Sequence, residues 1–447
     1  MPALFIKIKD IFRGNKALIV ILFVSFCLSL AYSFHFRIGP AVDARAYDNI
    51  GWNLASGQGY REDLTKDIAY DASLTRVGPL YQFFLAGIYK VFGHHYEPVW
   101  IAQALLHALS AWLVYLTARL VFSLSDCRRA VALWAAAIFG WHPDLIEISA
   151  MLMTETLYLF LVCLMVYLFF RYFNREDYFA AAMLGLFSGL AVLARSPVMF
   201  FIPVIIFYFY KKNRIKQGIL FLLVLIAVFV PWTIRNSIVY DKFLPLGGSG
   251  AFNFWIGNYH GGKGEQEPKA EHNYFVDNMP MAGLQDESMK QFKIFLRDYP
   301  AEFVKISVLR VNKYFSLIRP LGFWFYQAGR GQIVFVFSSA LAIGLLFITG
   351  FAGFLKSLKL KDWKINYLAA FTVITPLIIF ATVIESRYRF QIYPLLAIFA
   401  GFYIVDFFKT KRLDKYFWLV LLILLANSSI DFIINWSKFK DRITHFF

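Results

Sequence analysis

The chain has 447 residues, of which 59% are hydrophobic and 19% aromatic while only 17% are charged, and its mean hydropathy is +0.56. A water-soluble core cannot bury that much apolar surface, so lipid is the main solvent. The net charge of +16 resides in Lys and Arg clustered in short loops between apolar runs, which is a topology signal and argues against nucleic acid as a partner.

Apolar runs near 17–36, 98–122, 129–148, 151–172, 178–194, 197–210, 216–234, 331–355, 365–384, 388–408 and 416–436 predict eleven transmembrane helices. The first run is too long for a signal-peptide core and lacks a small-residue cleavage site, so it reads as an uncleaved span. With the N-terminus inside (Lys7, Lys9, Arg13, Lys16), every predicted inner loop is basic. These loops carry Arg128/Arg129, Arg171/Arg175, Lys211/Lys212/Arg214/Lys216, Lys356/Lys359/Lys361/Lys364 and Lys409/Lys411/Arg412/Lys415, and the C-terminus falls outside. Cys27, Cys127 and Cys163 imply no disulfide framework and no CxxC metal site.

The expected organisation is an all-α polytopic membrane protein. It divides into a first span with a cytoplasmic N-terminus (1–36), a first outer loop (37–97), spans two to seven (98–234), a small outer cap (235–330) and spans eight to eleven (331–447). In the first loop, 44–56 predicts a helix ended by Gly57-Gln58-Gly59. A second helix, from Pro79 to Gly93, is too short to span and reads as interfacial. In the cap, the glycine-rich stretch 257–264 follows no strand of a βαβ unit, so it is not a nucleotide loop, and 284–317 predicts helix.

On this topology Asp43, Asp48, Arg76, His142, Asp144, Glu147, Glu155, Arg195, Glu385, Arg387 and Arg389 all fall at the outer end, where they are positioned to converge on one pocket. Charged groups just below a membrane surface face protein or a water-filled cavity, since lipid exposure is costly. Taken one at a time, each also fits a bland role, snorkelling to the interface or capping a helix end. Asp43, just past the first span with Tyr47 one turn later on the same side, suits an N-cap or a general base. Glu155 lies in the first turn of an apolar run, so it needs an arginine or a sugar hydroxyl as partner. His142, in Trp141-His142-Pro143, reads as a turn residue, and Trp255 and Tyr259 are candidates for stacking on sugar faces.

The segments VDARAYDNIGWNLASGQGY (42–60), TRVGPLYQFFLAGIYKVFG (75–93), MTETLYLF (153–160), LARSP (193–197), PWTIRN (231–236), FNFWIGN (252–258) and ESRYRFQIYPLLAIFAG (385–401) follow one another in an order that resembles the GT-C superfamily of membrane glycosyltransferases. The pattern is most similar to bacterial relatives of the protein O-mannosyltransferases and lipid A aminoarabinose transferases. The resemblance implies an acidic base in the first outer loop, matched here by Asp43, a sugar carried on a polyprenyl phosphate, and direct displacement with inversion. The acceptor class is a lipid, glycan or protein, and the location a multi-pass cell membrane, the bacterial inner membrane, with the active site outside. Several family members carry paired first-loop acids. Here the next acid after Asp43 is Asp48, roughly 140° away on a helix, an arrangement that does not support a shared divalent metal. The leaving phosphate then falls to Arg76, Arg195, Arg387 and Arg389, because guanidinium binds phosphate oxygens bidentately. Tyr47, Asp48, Glu155, Glu385 and Tyr388 complete the expected substrate-binding set. A flippase or transporter of lipid-linked saccharides is disfavoured because few charges lie at span centres. A polysaccharide polymerase or ligase remains the other alternative, its reactive residues expected in a late outer loop.

Overall fold

The computed structural model describes residues 16–172, 177–247, 249–325 and 330–446; Lys7, Lys9, Arg13 and Arg175 lie outside them. Among the described residues the secondary structure is helical, with one isolated bridge, Glu265 to Ile384. Eight helices are long and apolar enough to cross a membrane, and the chain is a multi-pass membrane protein.

The first span is α1 (Lys16–Phe36), and the loop that follows it holds α2 (Asp43–Ala55) and α3 (Leu80–Phe92). Gly57 and Gly93 follow these two helices with φ of 77° and 76°, a conformation in which a Cβ would clash. Next come α4 (Glu97–Val121), α5 (Arg128–Gly140) and α6 (Pro143–Ser149). The expected continuous span 129–148 is therefore broken. Pro143 biases His142 toward the extended conformation (ψ 120°), ending α5 after 13 residues, roughly 20 Å of helix. The chain continues through α7 (Glu155–Tyr172), α8 (Tyr178–Ala194), a 3₁₀ segment Ser196–Phe201, α9 (Ile202–Lys211) and α10 (Ile215–Tyr240).

The cap comprises α11 (Ser249–Gly257), α12 (Ala270–Asn278), α13 (Met281–Asp298), α14 (Pro300–Phe315) and α15 (Leu321–Trp324). The helix expected over 284–317 is thus two helices, parted where Pro300 opens a new first turn. The last spans are α16 (Ile333–Ser357), α17 (Trp363–Ile374) with α18 (Leu377–Ala381), a 3₁₀ segment Ser386–Ile392 leading into α19 (Tyr393–Thr410), and α20 (Lys415–Ile434). A final helix, α21 (Trp436–Phe446), follows, in a stretch where the hydropathy pattern predicts no element.

The cap is fastened to the bundle by buried charge. Arg319 holds Asp431 of α20 through two hydrogen bonds of 2.7 and 2.8 Å, and Glu265 receives Lys313 at 2.8 Å and Arg319 at 3.2 Å, with Lys438 of α21 also paired to it. Burial opposes ionisation of Glu265, yet these three cations hold its carboxyl well below the usual range. Arg310, fully buried, donates to the backbone oxygens of Gly257 and Phe380 and to Asn258 Oδ1.

Deleting one member of a buried ion pair leaves the other charge unsatisfied, at a cost of about 3–5 kcal/mol. Asp431→Ala is expected to lower the thermal unfolding midpoint in detergent strongly, and the paired Arg319→Met/Asp431→Leu variant to recover most of the loss. A double variant as unstable as the single one would show that the pair is not the fastening.

Candidate active site

The site is assembled from four stretches of chain that meet at one end of the bundle. Asp43 is the first residue of α2, and its side chain does not cap that helix. The carboxylate instead accepts from Arg387 Nη2 at 2.7 Å and lies 3.6 Å from Arg76 Nη1. The preceding residue, Val42, has φ 48°, a left-handed conformation that strains a β-branched side chain by about 1–3 kcal/mol. Arg76 makes a bidentate pair with Glu62 at 2.6 Å for both bonds.

Glu155 opens α7 and Arg195 terminates α8, and the two are directly paired, with Arg195 also 3.2 Å from Thr154 Oγ1. Arg387, in the 3₁₀ segment, joins the halves: its Nε bonds Glu385 at 2.6 Å and lies 3.7 Å from Glu155. The Tyr388 ring lies between the two guanidiniums, 5.2 Å from Arg195 and 5.5 Å from Arg387. Four carboxylates and three guanidiniums therefore form one connected cluster. Burial pushes the Asp43 carboxyl up, but Arg387, Arg76 and Arg195 outweigh it and hold the group below its ordinary value, so it is ionised at neutral pH.

Close backbone packing makes this convergence feasible. A Cβ on Gly78 would lie 2.0 Å from the carbonyl oxygen of Leu193, so only glycine lets the 76–78 strip sit against the end of α8 beside Arg195. On the other flank, Arg235 of the 231–236 motif donates to the Tyr60 carbonyl at 3.1 Å and stacks on Tyr60 and Trp232, pinning the first loop to α10.

Beside the cluster opens a cavity of about 460 Å³. Glu155, Arg195, Arg387 and Tyr388 line its polar end, and Met199, Phe200, Phe254, Ile378 and Ile379 give it apolar walls. Both long inter-span segments reach it, through Val77 and Gly78 from the first loop and Leu246, Gly247, Asn253 and Phe254 from the cap. Asp43 reaches it through Arg387.

Asp43, Arg76, Glu155, Arg195, Glu385, Arg387 and Tyr388 are thus together, and Tyr47 is buried beside them, edge-on to Tyr81. Asp48 is not. Its position five residues along α2 turns it to the opposite side, where it accepts from Tyr89 (2.6 Å), Tyr96 (2.8 Å) and His94 (2.9 Å) and ties α2 to the chain around α3. Arg389 is also elsewhere: it donates to the carbonyls of Ser316 and Arg319, because two residues of 3₁₀ turn carry it away from the Arg387 face. Trp255 is buried against His272 and Phe275, and the Tyr259 ring is covered by Lys269, so neither lies at the cavity.

His142, Asp144 and Glu147 form a separate buried group. Asp144 accepts from the Leu321 N–H at 2.9 Å and from Tyr393 at 3.3 Å, tying α6 to the end of the cap. The residues that sequence reasoning missed are Glu62 and, lining the cavity, Tyr158 and Gln391. Tyr158 was findable, since it follows Glu155 at i+3 on one helix face. Glu62 has no such signal, because only the folded loop brings it to Arg76. The carboxylates of the cluster are each held by a guanidinium, and among the described residues no three His, Cys, Asp or Glu come together as metal ligands would.

Residues 76–234 match the family model of the dolichyl-phosphate-mannose-protein mannosyltransferases. Among solved structures, the apo oligosaccharyltransferase of Archaeoglobus fulgidus superposes with TM-score 0.57 at 14% identity, covering 93% of this chain and 55% of that one. ArnT from Cupriavidus metallidurans bound to undecaprenyl phosphate superposes with TM-score 0.50 at 14% identity, covering 94% and 65%. The chain has the GT-C fold. It spans about half the length of the oligosaccharyltransferase chains, one of which was solved as AglB with an inhibitory peptide and a dolichol-phosphate. No curated protein matches it by sequence.

Burial, with Asp144 adding to it, pushes the Glu147 carboxyl up from 4.5 to about 8. A raised folded-state value means that the native protein binds more protons than the unfolded chain between those two values. Stability then falls as pH rises through that window. The thermal midpoint of Glu147→Gln is expected to rise relative to that of the wild type as pH increases from 4.5 toward 8, whatever the shared slope contributed by other groups. Parallel profiles would contradict the assignment.

Proposed function

We propose that this GT-C chain is a glycosyltransferase that moves a sugar from a polyprenyl-phosphate donor to an acceptor hydroxyl at the outer face of its membrane. The observation that carries this reading is the placement of Asp43 against Arg387, whose other contacts lead to the guanidinium end of an otherwise apolar cavity. Such a cavity suits an amphiphile with an anionic head: Arg195 and Arg387 take the phosphate, and the apolar walls take the first isoprene units. Arg76 steadies the other carboxylate oxygen of Asp43. The neighbours solved with dolichol-phosphate and undecaprenyl phosphate support the same donor class. Basic residues at the opposite end, among them Lys212, Lys364 and Lys411, support an outward-facing site.

In the displacement, the acceptor O–H gives its proton to Asp43 as its oxygen bonds the anomeric carbon. The carbon–oxygen bond to phosphate breaks on the opposite side, the configuration inverts, and polyprenyl phosphate leaves with its charge on the guanidiniums. Donor binding also prepares the base. A phosphate that recruits Arg387 loosens its grip on Asp43, removing the main influence that holds that carboxyl acidic, so its basicity rises once the donor is in place.

Transfer of radiolabelled sugar from a polyprenyl-phosphate donor in membranes enriched in this protein tests the proposal. Asp43→Asn is expected to lower the rate by about 10²–10⁴-fold while binding of undecaprenyl phosphate persists. Arg387→Gln is expected to weaken that binding as well. Full activity in the Asp43 variant would remove it as the base, and wild-type membranes without transfer or carrier binding would remove the donor class.

A further inference from the structure

A second cavity, of about 530 Å³, has no part in the mechanism above. It shares no lining residue with the cavity beside the Asp43 cluster, yet the two are parted only by a thin wall in which chain neighbours face opposite ways. Gly78 and Val192 line the first cavity, and Pro79 and Leu193 line the second. This is the same contact at which the Gly78 backbone sits against the Leu193 carbonyl. Leu54 of α2, Phe83 of α3, and Val228 and Trp232 of α10 give the second cavity apolar and aromatic walls, and two arginines, Arg61 and Arg235, also line it.

The cavity opens beside surface that faces lipid. Its lining residue Pro231 is exposed and shares one face of α10 with Ile234 and Ile238, both exposed, and α10 is among the helices long and apolar enough to cross a membrane. Phe83, on the opposite wall, is exposed as well.

Both arginines are half-buried, and neither meets a carboxylate among the described residues. Arg235 donates to Asn236 Oδ1 at 3.0 Å and to the Tyr60 carbonyl at 3.1 Å, and its guanidinium lies 5.2–5.3 Å from the ring centres of Tyr60, Trp232 and Tyr240. Arg61 donates to the Lys66 carbonyl. All of these partners are neutral. The acids of the same loop are engaged elsewhere: Glu62 by Arg76, Asp63 by Thr65, Asp67 by the Ala69 N–H, and Asp71 by the N–H groups of Glu62, Asp63 and Ser73. Pinning the first loop accounts for the two hydrogen bonds of Arg235, but it leaves two positive charges beside apolar walls without a counterion, which is costly near lipid.

We propose that this cavity is a second lipid site, separate from the first, which holds an anionic phospholipid of the surrounding leaflet. Its phosphodiester meets Arg61 and Arg235, and an acyl chain lies along Phe83, Val228 and Trp232. Guanidinium suits phosphate oxygens, and the apolar walls suit a chain that free phosphate lacks. Because its stack already fixes Arg235, little ordering is lost on binding.

The test uses the full chain in detergent, titrated with phosphatidylglycerol or phosphatidylcholine, with bound lipid counted by native mass spectrometry. The wild type is expected to hold one phosphatidylglycerol about tenfold more tightly than phosphatidylcholine, whose choline ammonium cancels the charge that the arginines read. Arg61→Gln and Arg235→Gln are expected to cut that preference to about twofold or less, and Arg61→Lys to keep most of it. Arg235 also holds the loop, so thermal midpoints are measured alongside. If its variant unfolds, Arg61→Gln decides, since it gives up only one bond to a backbone carbonyl. No preference in the wild type, or an undiminished one in Arg61→Gln, would overturn the proposal. Displacement of the lipid by inorganic phosphate, but not by chloride at matched ionic strength, would overturn it in favour of a free anion. Arg387→Gln is expected to leave the preference intact, and its loss there would assign the lipid to the first cavity instead.

Discussion

The ion-pair cluster centred on Arg387 is the constraint around which one end of this molecule is organised. One guanidinium touches Asp43 and Glu385 and approaches Glu155, so three stretches far apart in sequence are held by one side chain that is 5% exposed. In a low-dielectric setting none of these charges is tolerable alone. The helices must therefore deliver their polar ends to the same point, or leave a charge in apolar surroundings.

Several local features follow from that demand. Gly78 allows the first loop to lie against the end of α8, Pro143 ends α5 early so that the chain can turn through α6, and the 3₁₀ segment Ser386–Ile392 sets Arg387 and Arg389 on different sides. The cap is held in the same manner, by Arg319 and Lys313 reaching Glu265 and by Arg319 reaching Asp431, so that Asn253 and Phe254 close one wall of the cavity. Buried pairs of this kind contribute little net stability compared with apolar replacements, but they fix which surfaces meet. Here that specificity produces a pocket with a charged end and a greasy body.

The clamped state of Asp43 bears on catalysis. A carboxylate paired with two arginines, Arg76 and Arg387, is a poor base. In the proposed reaction, linking Asp43 to the guanidinium offered to phosphate would couple its basicity to donor occupancy. The price is a resting site in which four carboxylates must share three cations.

Hydropathy made the multi-span architecture legible from the amino acids alone, because the bilayer imposes that pattern on any sequence. The helical phase of α2 argues only against Asp43 and Asp48 sharing a metal; the substrate-binding set expected from the sequence still includes Asp48, and the fold instead turns it to Tyr89, His94 and Tyr96. What the sequence could not carry was partner choice. Arg387 and Arg389 are two residues apart and chemically identical, yet one meets Asp43 and the other meets backbone carbonyls. Glu62 was invisible as the partner of Arg76, and His142, Asp144 and Glu147 looked like members of the main site until α6 packed them elsewhere. Periodicity describes one element at a time. Which charges share a pocket depends on how separate helices cross, and only the tertiary packing of apolar faces and close glycine contacts decides that.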